Sequence, residues 1–320
     1  AISVSGVVLA GLQKRAKRRR LLANGMSVAE AHAATDMPNE PTDVNPWYFI
    51  GGGTFVILTL IIGLGQVPFG QEIIFTGSMA IVLLLMRQLM QTLPPAQAKM
   101  LVGTAAIIFA FRATPLPGQG LTWLTIDELG FDQQFLSVLS LVTSVVALVA
   151  MVLLRPLIAR QSMVYLIVDL SLLGGLLSLP NLGLYYGVHE WTSAVTGGVV
   201  DARFIALLDT AVESPLVLIA VIPMLAWIAR NAPAALKATF FAVMASFTNL
   251  AISASRLGEK YLNQIFTVTR EVRDSDTGLI ETAANYAELG ALLITVSLLT
   301  VGIPLLAVWL VQRSPYRTTE

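Results

Sequence analysis

The sequence predicts an all-α protein, a polytopic bundle of transmembrane helices with about eight complete spans and part of another. Only 12% of its 320 residues are charged and 55% are hydrophobic, whereas soluble domains average about 25% charged residues. Apolar segments of roughly 17–25 residues, long enough to cross a bilayer as helices, fill most of the chain after Pro46. Six cations in seven positions, Lys14–Arg20, precede them. Lipid is therefore the predicted main solvent of this chain.

The elements can be assigned in chain order. Ala1–Leu12 is apolar but too short to span, and we interpret it as the end of a truncated transmembrane helix. Residues 13–46 follow as a basic cytoplasmic loop, in which Ser27 and Glu30 form a capping-box pattern that predicts a short helix over Val28–Ala34. The predicted spans are Tyr48–Val67, Glu72–Leu93, Lys99–Leu124, Phe135–Leu154, Met163–Leu182, Phe204–Ile228, Ala238–Ser255 and Ala287–Val311.

The third span contains a predicted helix break. Pro115 and Pro117 remove backbone donors and interrupt a helix, and Gly118 and Gly120 follow them. A broken helix at membrane depth is tolerated only where it faces protein or a water-filled cavity. Between the last two spans, Glu259–Glu281 mixes charges and is predicted to be an outer loop with frayed helix extensions.

Charge asymmetry predicts the orientation in the membrane, because short cytoplasmic loops are rich in Lys and Arg. If Lys14–Arg20 is cytoplasmic and the spans alternate, the inner loops between and after the spans are Gln91–Lys99, Arg155–Arg160, Arg230–Lys237 and Gln312–Glu320, and the only acid in these four is Glu320. The cations of those loops are Lys99, Arg155, Arg160, Arg230, Lys237, Arg313 and Arg317. The short outer turns Val67–Gln71 and Thr125–Gln134 contain neither Lys nor Arg. Both ends of the chain are therefore predicted to be cytoplasmic, in an inner or plasma membrane.

Several function classes find no support in the sequence. There is no Cys, which excludes disulfides, thiolate metal sites and Cys nucleophiles. His32 and His189 are the only histidines and lie outside the predicted spans, which disfavours a haem held between helices. We find no phosphate-binding loop of the P-loop type and no nucleophile–base pair, so we expect neither ATP-driven pumping nor an enzyme. We also expect no cofactor, metal or nucleic-acid partner.

Arg112 is the first candidate functional residue. A charge within the hydrocarbon core costs about 2.5–3.5 kcal/mol on insertion scales, so charges that persist there mark function by default. Arg112 lies in the third span just before the helix break, and this combination predicts an anion-binding point in a cavity. The alternative is a structural arginine paired with a carboxylate.

Three acids lie in the interior of predicted spans, away from the ends of the helices. Asp209 and Glu213 are four residues apart and so share one helix face. Carboxylates at this spacing repel each other unless one is protonated or a cation neutralises them, which favours a proton-coupling role; a salt bridge to Arg112 or Arg203 is the alternative. Asp169 is either a coupling residue on the pathway or an interhelix hydrogen-bond partner.

Two further side chains are candidates for substrate binding. Asn249 is the one amide of the seventh span, which is otherwise rich in small and hydroxyl residues that favour helix packing. Trp123 stands beside the helix break and could stack on an aromatic substrate, although it also fits the aromatic belt at a membrane interface.

Several motifs between Phe111 and Leu250 resemble the folate–biopterin transporter family, a branch of the major facilitator superfamily. Phe111–Pro115 followed by Asp127–Phe131 is similar to the family's "RATP…NELGF" segment, and Asp209–Glu213 is similar to its acidic "DSVLE" element. Ile222–Leu225, Pro233 and Thr239–Leu250 together resemble its "MPLLVLA…P…TLFALLMSxxNL" stretch. Lys237 departs from the pattern, because an acidic residue is usual near its position.

The resemblance implies a twelve-helix carrier built from two six-helix halves. Residues 47–93 would then be two spans that complete the N-terminal bundle, and residues 94–320 the six-helix C-terminal bundle. Members move folates, pterins and related compounds, often with protons, so the resemblance supports substrate-binding or coupling roles for Arg112, Asp209 and Glu213. It also implies missing N-terminal helices or a partner membrane subunit.

The leading functional hypothesis is a secondary active transporter of the major facilitator type. It would sit in the lipid bilayer and move folate- or pterin-like organic anions by proton symport. Arg112, Trp123 and Asn249 would bind substrate, whereas Asp209, Glu213 and Asp169 would carry the coupling proton. The alternative is a non-transporting integral-membrane scaffold or an assembly subunit of a larger membrane complex.

Overall fold

A computed structural model describes residues 2–33, 46–65, 67–153, 162–213, 227, 237–274 and 278–318. These residues are mostly helical, which confirms the all-α prediction. Five helical segments in the described part are long and apolar enough to cross a membrane: Gly70–Gln91, Gln133–Ala150, Met163–Tyr185, Phe240–Ile265 and Leu289–Gln312. A shorter apolar helix covers Gly53–Leu64. The total of about eight spans and the major facilitator fold stay predictions.

The chain divides into two compact units, Ala1–Gly65 and Gln66–Glu320. The first contains α1 (Ile2–Ala23), α2 (Val28–Ala33) and α3 (Pro46–Leu64). The basic run lies within the continuous helix α1, and α2 packs against α1. The predicted boundaries at residues 12, 46 and 93 stay predictions.

The capping box at the start of α2 is confirmed. The hydroxyl of Ser27 donates to Glu30 Oε2 at 2.8 Å, the Ser27 amide donates to the same oxygen, and the Glu30 amide donates back to Ser27 Oγ. The hydrogen bonds from Ser27 lower the pKa of the Glu30 carboxyl. Two sequence-local residues thus determine where this helix begins.

The second unit contains most of the helices. Among the described residues they are, in chain order, α4 (Gly70–Gln91), α5 (Pro95–Arg112), α6 (Gly120–Asp127), α7 (Gln133–Leu153), α8 (Met163–Leu177), α9 (Leu179–Tyr185), α10 (Val188–Val195), α11 (202–213), α12 (Lys237–Ile265) and α13 (Leu289–Gln312). A short antiparallel hairpin, β1 (Val272–Arg273) and β2 (Ile280–Thr282), lies between α12 and α13.

Helix α5 lies at the centre of the main core. It packs against α8, α12 and α13, while α12 also packs against α4. Leu101 and Ile107 of α5 are completely buried, as are Phe240 and Met244 of α12. The faces of α5 and α12 that carry these residues are therefore covered by other helices, and close packing there stabilises the bundle.

Close approach of α13 to α9 depends on Gly290. A methyl group on this residue would overlap the ring of Tyr185 and crowd the hydroxyl of Tyr186. The ring of Tyr185 cannot easily move away, because its hydroxyl donates to the carbonyl oxygens of Tyr286 and Ala287 at 3.0 Å. The two helices can therefore pack this closely only because Gly290 has no side chain.

We expect Gly290→Ala to lower the free energy of unfolding by about 1–3 kcal/mol, the usual cost of overpacking a core. Gly302→Ala on the same helix is the matched control, since a methyl group there meets no atom within 4 Å. The control should be neutral or stabilising by up to about 1 kcal/mol, because alanine favours helix. Thermal unfolding of the purified protein measures both, and equal melting temperatures would contradict the packing argument.

The structure corrects the prediction for the seventh span and the segment after it. The span was predicted to end at Ser255, but α12 continues unbroken to Ile265. The segment Glu259–Glu281 begins with a helix extension, as expected, but the extension is regular helix to Ile265, and a hairpin that was not predicted follows it. Contacts with residues far along the chain hold the extra turns, as for Lys260 Nζ, which lies 2.6 Å from Glu72 Oε1 in the first turn of α4.

Other elements differ in smaller ways. The predicted span Met163–Leu182 is divided at Ser178 into α8 and α9, and α10 was not predicted. The sixth span is described only over α11; its remainder falls largely outside the described residues, as do the inner loop Arg155–Arg160 and nearly all of Arg230–Lys237.

Candidate functional site

The predicted helix break is present, and it separates α5 from α6. Residues 113–119 are not helical, as expected from Pro115 and Pro117. Hydrogen bonds to the last turn of α5 stabilise the start of this segment. The Ala113 amide donates to the carbonyl of Phe109, and the Thr114 hydroxyl donates to the carbonyl of Phe111. This irregular segment lies between two helices of an otherwise apolar bundle.

Helix α12 supplies the partner surface for the break. Ser255 Oγ donates to the carbonyl oxygen of Thr114 at 2.6 Å, and Gly258 allows Pro115 to pack directly on the helix. Gly118 has a φ of 77°, a conformation that favours glycine. Its Cα faces the side chains of Glu259 and Asn263. The break is therefore held by one polar stripe of α12.

Arg112 is the last residue of α5 and is half-buried. Because α5 begins at Pro95 and rises 1.5 Å per residue, Arg112 lies about 26 Å from the start of the helix. Arg112 is thus immediately beside the break, nearer the predicted outer end of the span.

Asp209 is buried within the bundle. The residue is 8% exposed, and Asn181 Nδ2 donates to its Oδ2 at 3.2 Å. Its other oxygen, Oδ1, has no partner among the described residues. Among the described residues, no salt bridge joins Asp209 to Arg112 or Arg203. Arg203 instead contacts Asp132, 3.4 Å away.

The remaining candidate residues are more exposed than Asp209. Glu213, Asp169 and Asn249 are exposed on the surface of the described structure, and Trp123 is partly buried. No hydrogen bond joins any two of the predicted site residues within the described part. Exposed acids and amides on apolar helices are expensive against lipid, so these side chains require a protein or water-filled surface opposite them.

A second polar cluster, formed by Asp127, Arg270 and Tyr286, joins chain segments at the predicted outer end of the second unit. Arg270 Nε and Nη2 donate to the two carboxylate oxygens of Asp127 at 2.9 and 2.8 Å, and the Tyr286 hydroxyl donates to Asp127 Oδ2 at 2.6 Å. Bidentate pairing of this kind fixes both distance and orientation. Asp127 thereby joins the end of α6 to the segments that flank the hairpin.

This cluster shifts the pKa values of its members. The bonds from Arg270 and then from Tyr286 lower the pKa of Asp127, whereas burial and the bond to Asp127 raise the pKa of Tyr286 to about 12. The lowered pKa of Asp127 contributes stability that is present at neutral pH and is lost as pH falls below about 4. The raised pKa of Tyr286 contributes stability that is lost as pH rises from about 10 through 12.

We expect Asp127→Asn to lower the melting temperature at neutral pH by roughly 2–4 °C, and the difference from wild type to shrink as pH falls below about 4. The effect is small because solvent screens a partly exposed pair. Asp132→Asn is the matched control; its 3.4 Å contact with Arg203 is long and exposed, so it should change little. Melting curves from pH 3 to 8 test this, and a pH-independent difference would contradict it.

Sequence reasoning missed four residues that contact the candidate sites: Asn181, Ser255, Glu259 and Asn263. For three of them the sequence held one signal: Ser255, Glu259 and Asn263 are spaced four residues apart, as on one face of a helix. Glu259 and Asn263 were instead included in a segment predicted as a loop with frayed helix extensions. Among the described residues, no group of three or more His, Asp or Glu side chains is placed to hold a metal ion.

Comparison with known proteins adds independent information. A model of the BT1 family matches residues 8–318. The "Folate-biopterin transporter" of Synechocystis sp. is 31% identical over 144 residues, which is 45% of this chain. The aligned part spans only 28% of that relative. No solved structure matches the chain.

Proposed function

The chain belongs to the BT1 family, and from that membership we propose that it is part of a secondary transporter of small organic anions. The family match and the long apolar helices identify an integral membrane protein. The name of the Synechocystis relative supports transport as the activity. The family match carries the proposal, and it gives the scaffold alternative no support.

The distribution of charge supports a carrier in preference to a purely structural bundle. Arg112 lies beside an irregular segment, Asp209 is buried in α11, and Asp169 and Glu213 are exposed on the described surface. Each of these charges is expensive in hydrocarbon, whereas a transporter needs such groups along a water-accessible pathway. Facilitator-type carriers place that pathway between two halves near the middle of the membrane.

Roles for the individual residues follow from their chemistry. Arg112 would bind a carboxylate of the substrate, because a guanidinium presents two parallel donors to that group. Trp123 would stack on an aromatic ring and Asn249 would hydrogen-bond to it. Asp209 would carry the coupling proton, assisted by Glu213 and Asp169.

A folate- or pterin-like compound is the substrate class that best fits this set of side chains. Such a molecule combines carboxylates or other polar edges with a flat aromatic ring. The proposed carrier is of the major facilitator type, with both ends of this chain on the cytoplasmic side, in agreement with the cations of the predicted inner loops.

The test is uptake of radiolabelled folate by proteoliposomes that contain the whole purified protein. An inward proton gradient should drive accumulation, and an excess of unlabelled pterin should compete. Empty liposomes and liposomes treated with a protonophore are the controls. Uptake that matches empty liposomes for folate, pterin and simpler aromatic carboxylates would overturn the proposed function.

A further inference from the structure

A cavity of about 560 Å³ lies between the start of α5 and the end of the described chain after α13. Its lining consists of Ala96, Gln97, Lys99, Met100, Pro315 and Arg317. The volume falls within the range of about 300–1,000 Å³ that small-molecule sites occupy. None of these residues belongs to the transport site proposed above.

The cavity wall formed by the tail is held in place by specific contacts. Gln312 Nε2 donates to the hydroxyl of Thr318 at 2.8 Å, and Thr318 is buried although it lies near the end of the chain. The Ser314 hydroxyl accepts from the Tyr316 amide. The carbonyl oxygen of Tyr316 rests on Gly103 of α5, where any side chain would collide with it.

The chemistry of the lining favours an anion. Lys99 and Arg317 both contribute to the cavity, and neither makes an ion pair with a described residue. No acidic side chain is among the described residues that line it. The cavity also includes the first turn of the 18-residue helix α5, whose amides have no side-chain cap. Amides at a helix N-terminus favour negative charge, which adds to the attraction of the two cations.

The apolar part of the lining distinguishes a lipid from a free ion. Ala96, Met100 and Pro315 stand beside the cations, so the cavity offers apolar contact together with positive charge. Inorganic phosphate would use only the charge, whereas a phospholipid headgroup would also bury its glycerol and the start of its acyl chains. Basic pockets at the cytoplasmic ends of transmembrane helices are suited to such headgroups.

We propose that this cavity binds the phosphate group of an acidic phospholipid from the cytoplasmic leaflet. The inference rests on the proposed orientation, in which α5 begins and α13 ends on that side. It does not require the proposed transport activity, because lipid binding can be measured in the absence of any substrate. The bound lipid would anchor the tail against α5 at the membrane surface.

The experiment measures binding of short-chain phosphatidylglycerol to the whole purified protein in a nonionic detergent, by native mass spectrometry. Phosphatidylcholine of the same chain length and inorganic phosphate are the comparison probes. Each cation near an anionic lipid surface is worth about 1 kcal/mol, so the double variant Lys99→Gln/Arg317→Gln should bind phosphatidylglycerol roughly 30-fold more weakly. Wild type should prefer phosphatidylglycerol to both comparison probes.

Arg313→Gln is the matched control variant. Arg313 is a cation of the same tail, but its guanidinium lies 4.3 Å from the centre of the Trp309 ring and it does not line the cavity. It should retain wild-type affinity. Unchanged binding in the double variant, or an equal loss in Arg313→Gln, would overturn the site. Competition by inorganic phosphate at equal concentration would overturn the assignment to a lipid.

Discussion

Substitution of Arg112 by alanine is expected to reduce uptake of an anionic substrate by roughly 10- to 100-fold in proteoliposomes containing the whole protein. This range corresponds to about 1.5–3 kcal/mol for a hydrogen bond between charged groups. Arg112→Lys should recover part of the uptake, because lysine keeps the charge but presents it as a point and loses the paired donors.

Arg203→Ala is the matched control for this experiment. Arg203 is exposed, contacts Asp132 and the carbonyl of Gly130, and lies over the ring of Phe135. Its removal should leave uptake within about twofold of wild type, as for most surface positions. The melting temperature of each variant is measured in parallel, since Arg112 also stabilises the C-terminal end of α5. A folded Arg112→Ala protein with wild-type uptake would remove Arg112 from the substrate site.

Substitution of Asp209 by asparagine is expected to abolish accumulation driven by a proton gradient while leaving exchange of substrate across the membrane intact. Asparagine keeps the size of the side chain and can still bond to Asn181, but it cannot take up or release a proton. With a gradient of one pH unit and one proton per substrate, wild type should accumulate substrate about tenfold and the variant not at all.

Asp201→Asn, at the residue that caps the same helix, is the control for the coupling experiment. Asp201 Oδ1 accepts from the Phe204 amide at 2.8 Å at the start of α11, and asparagine caps a helix equally well. This variant should behave as wild type in both assays. Proton-driven accumulation that persists in Asp209→Asn would transfer the coupling role to Glu213 or Asp169.

Local features of the fold were predictable where neighbouring residues determine the outcome. Ser27 and Glu30 are three positions apart, and their mutual hydrogen bonds start α2 where expected. Pro115 and Pro117 interrupt the third span because their effect on the backbone does not depend on distant residues. The unbroken continuation of α12 to Ile265 was not predicted, because only frayed helix was expected in the polar sequence after Ser255 and its distant partners were not known.

The candidate residues divide in the same way. The free-energy cost of a charged side chain in the hydrocarbon core was enough to single out Arg112 and Asp209, since a charge in an apolar segment is visible in the sequence. The partner of Asp209 was not predictable, because Asn181 is 28 positions away and amides have no distinctive spacing. The pair formed by Asp127 and Arg270 spans 143 positions, so only packing of the helices could bring it together.

The sequence by itself determined the solvent of this protein, its helical class and most helix positions. The reason is that hydrocarbon forces each spanning segment to satisfy its own backbone, which makes length and apolarity sufficient signals. Tertiary structure alone decided which polar groups meet: Ser255 at the helix break, Asn181 at Asp209 and Glu72 at Lys260. Such pairs depend on how the packed helices are rotated and positioned relative to one another. No local pattern of residues specifies that arrangement.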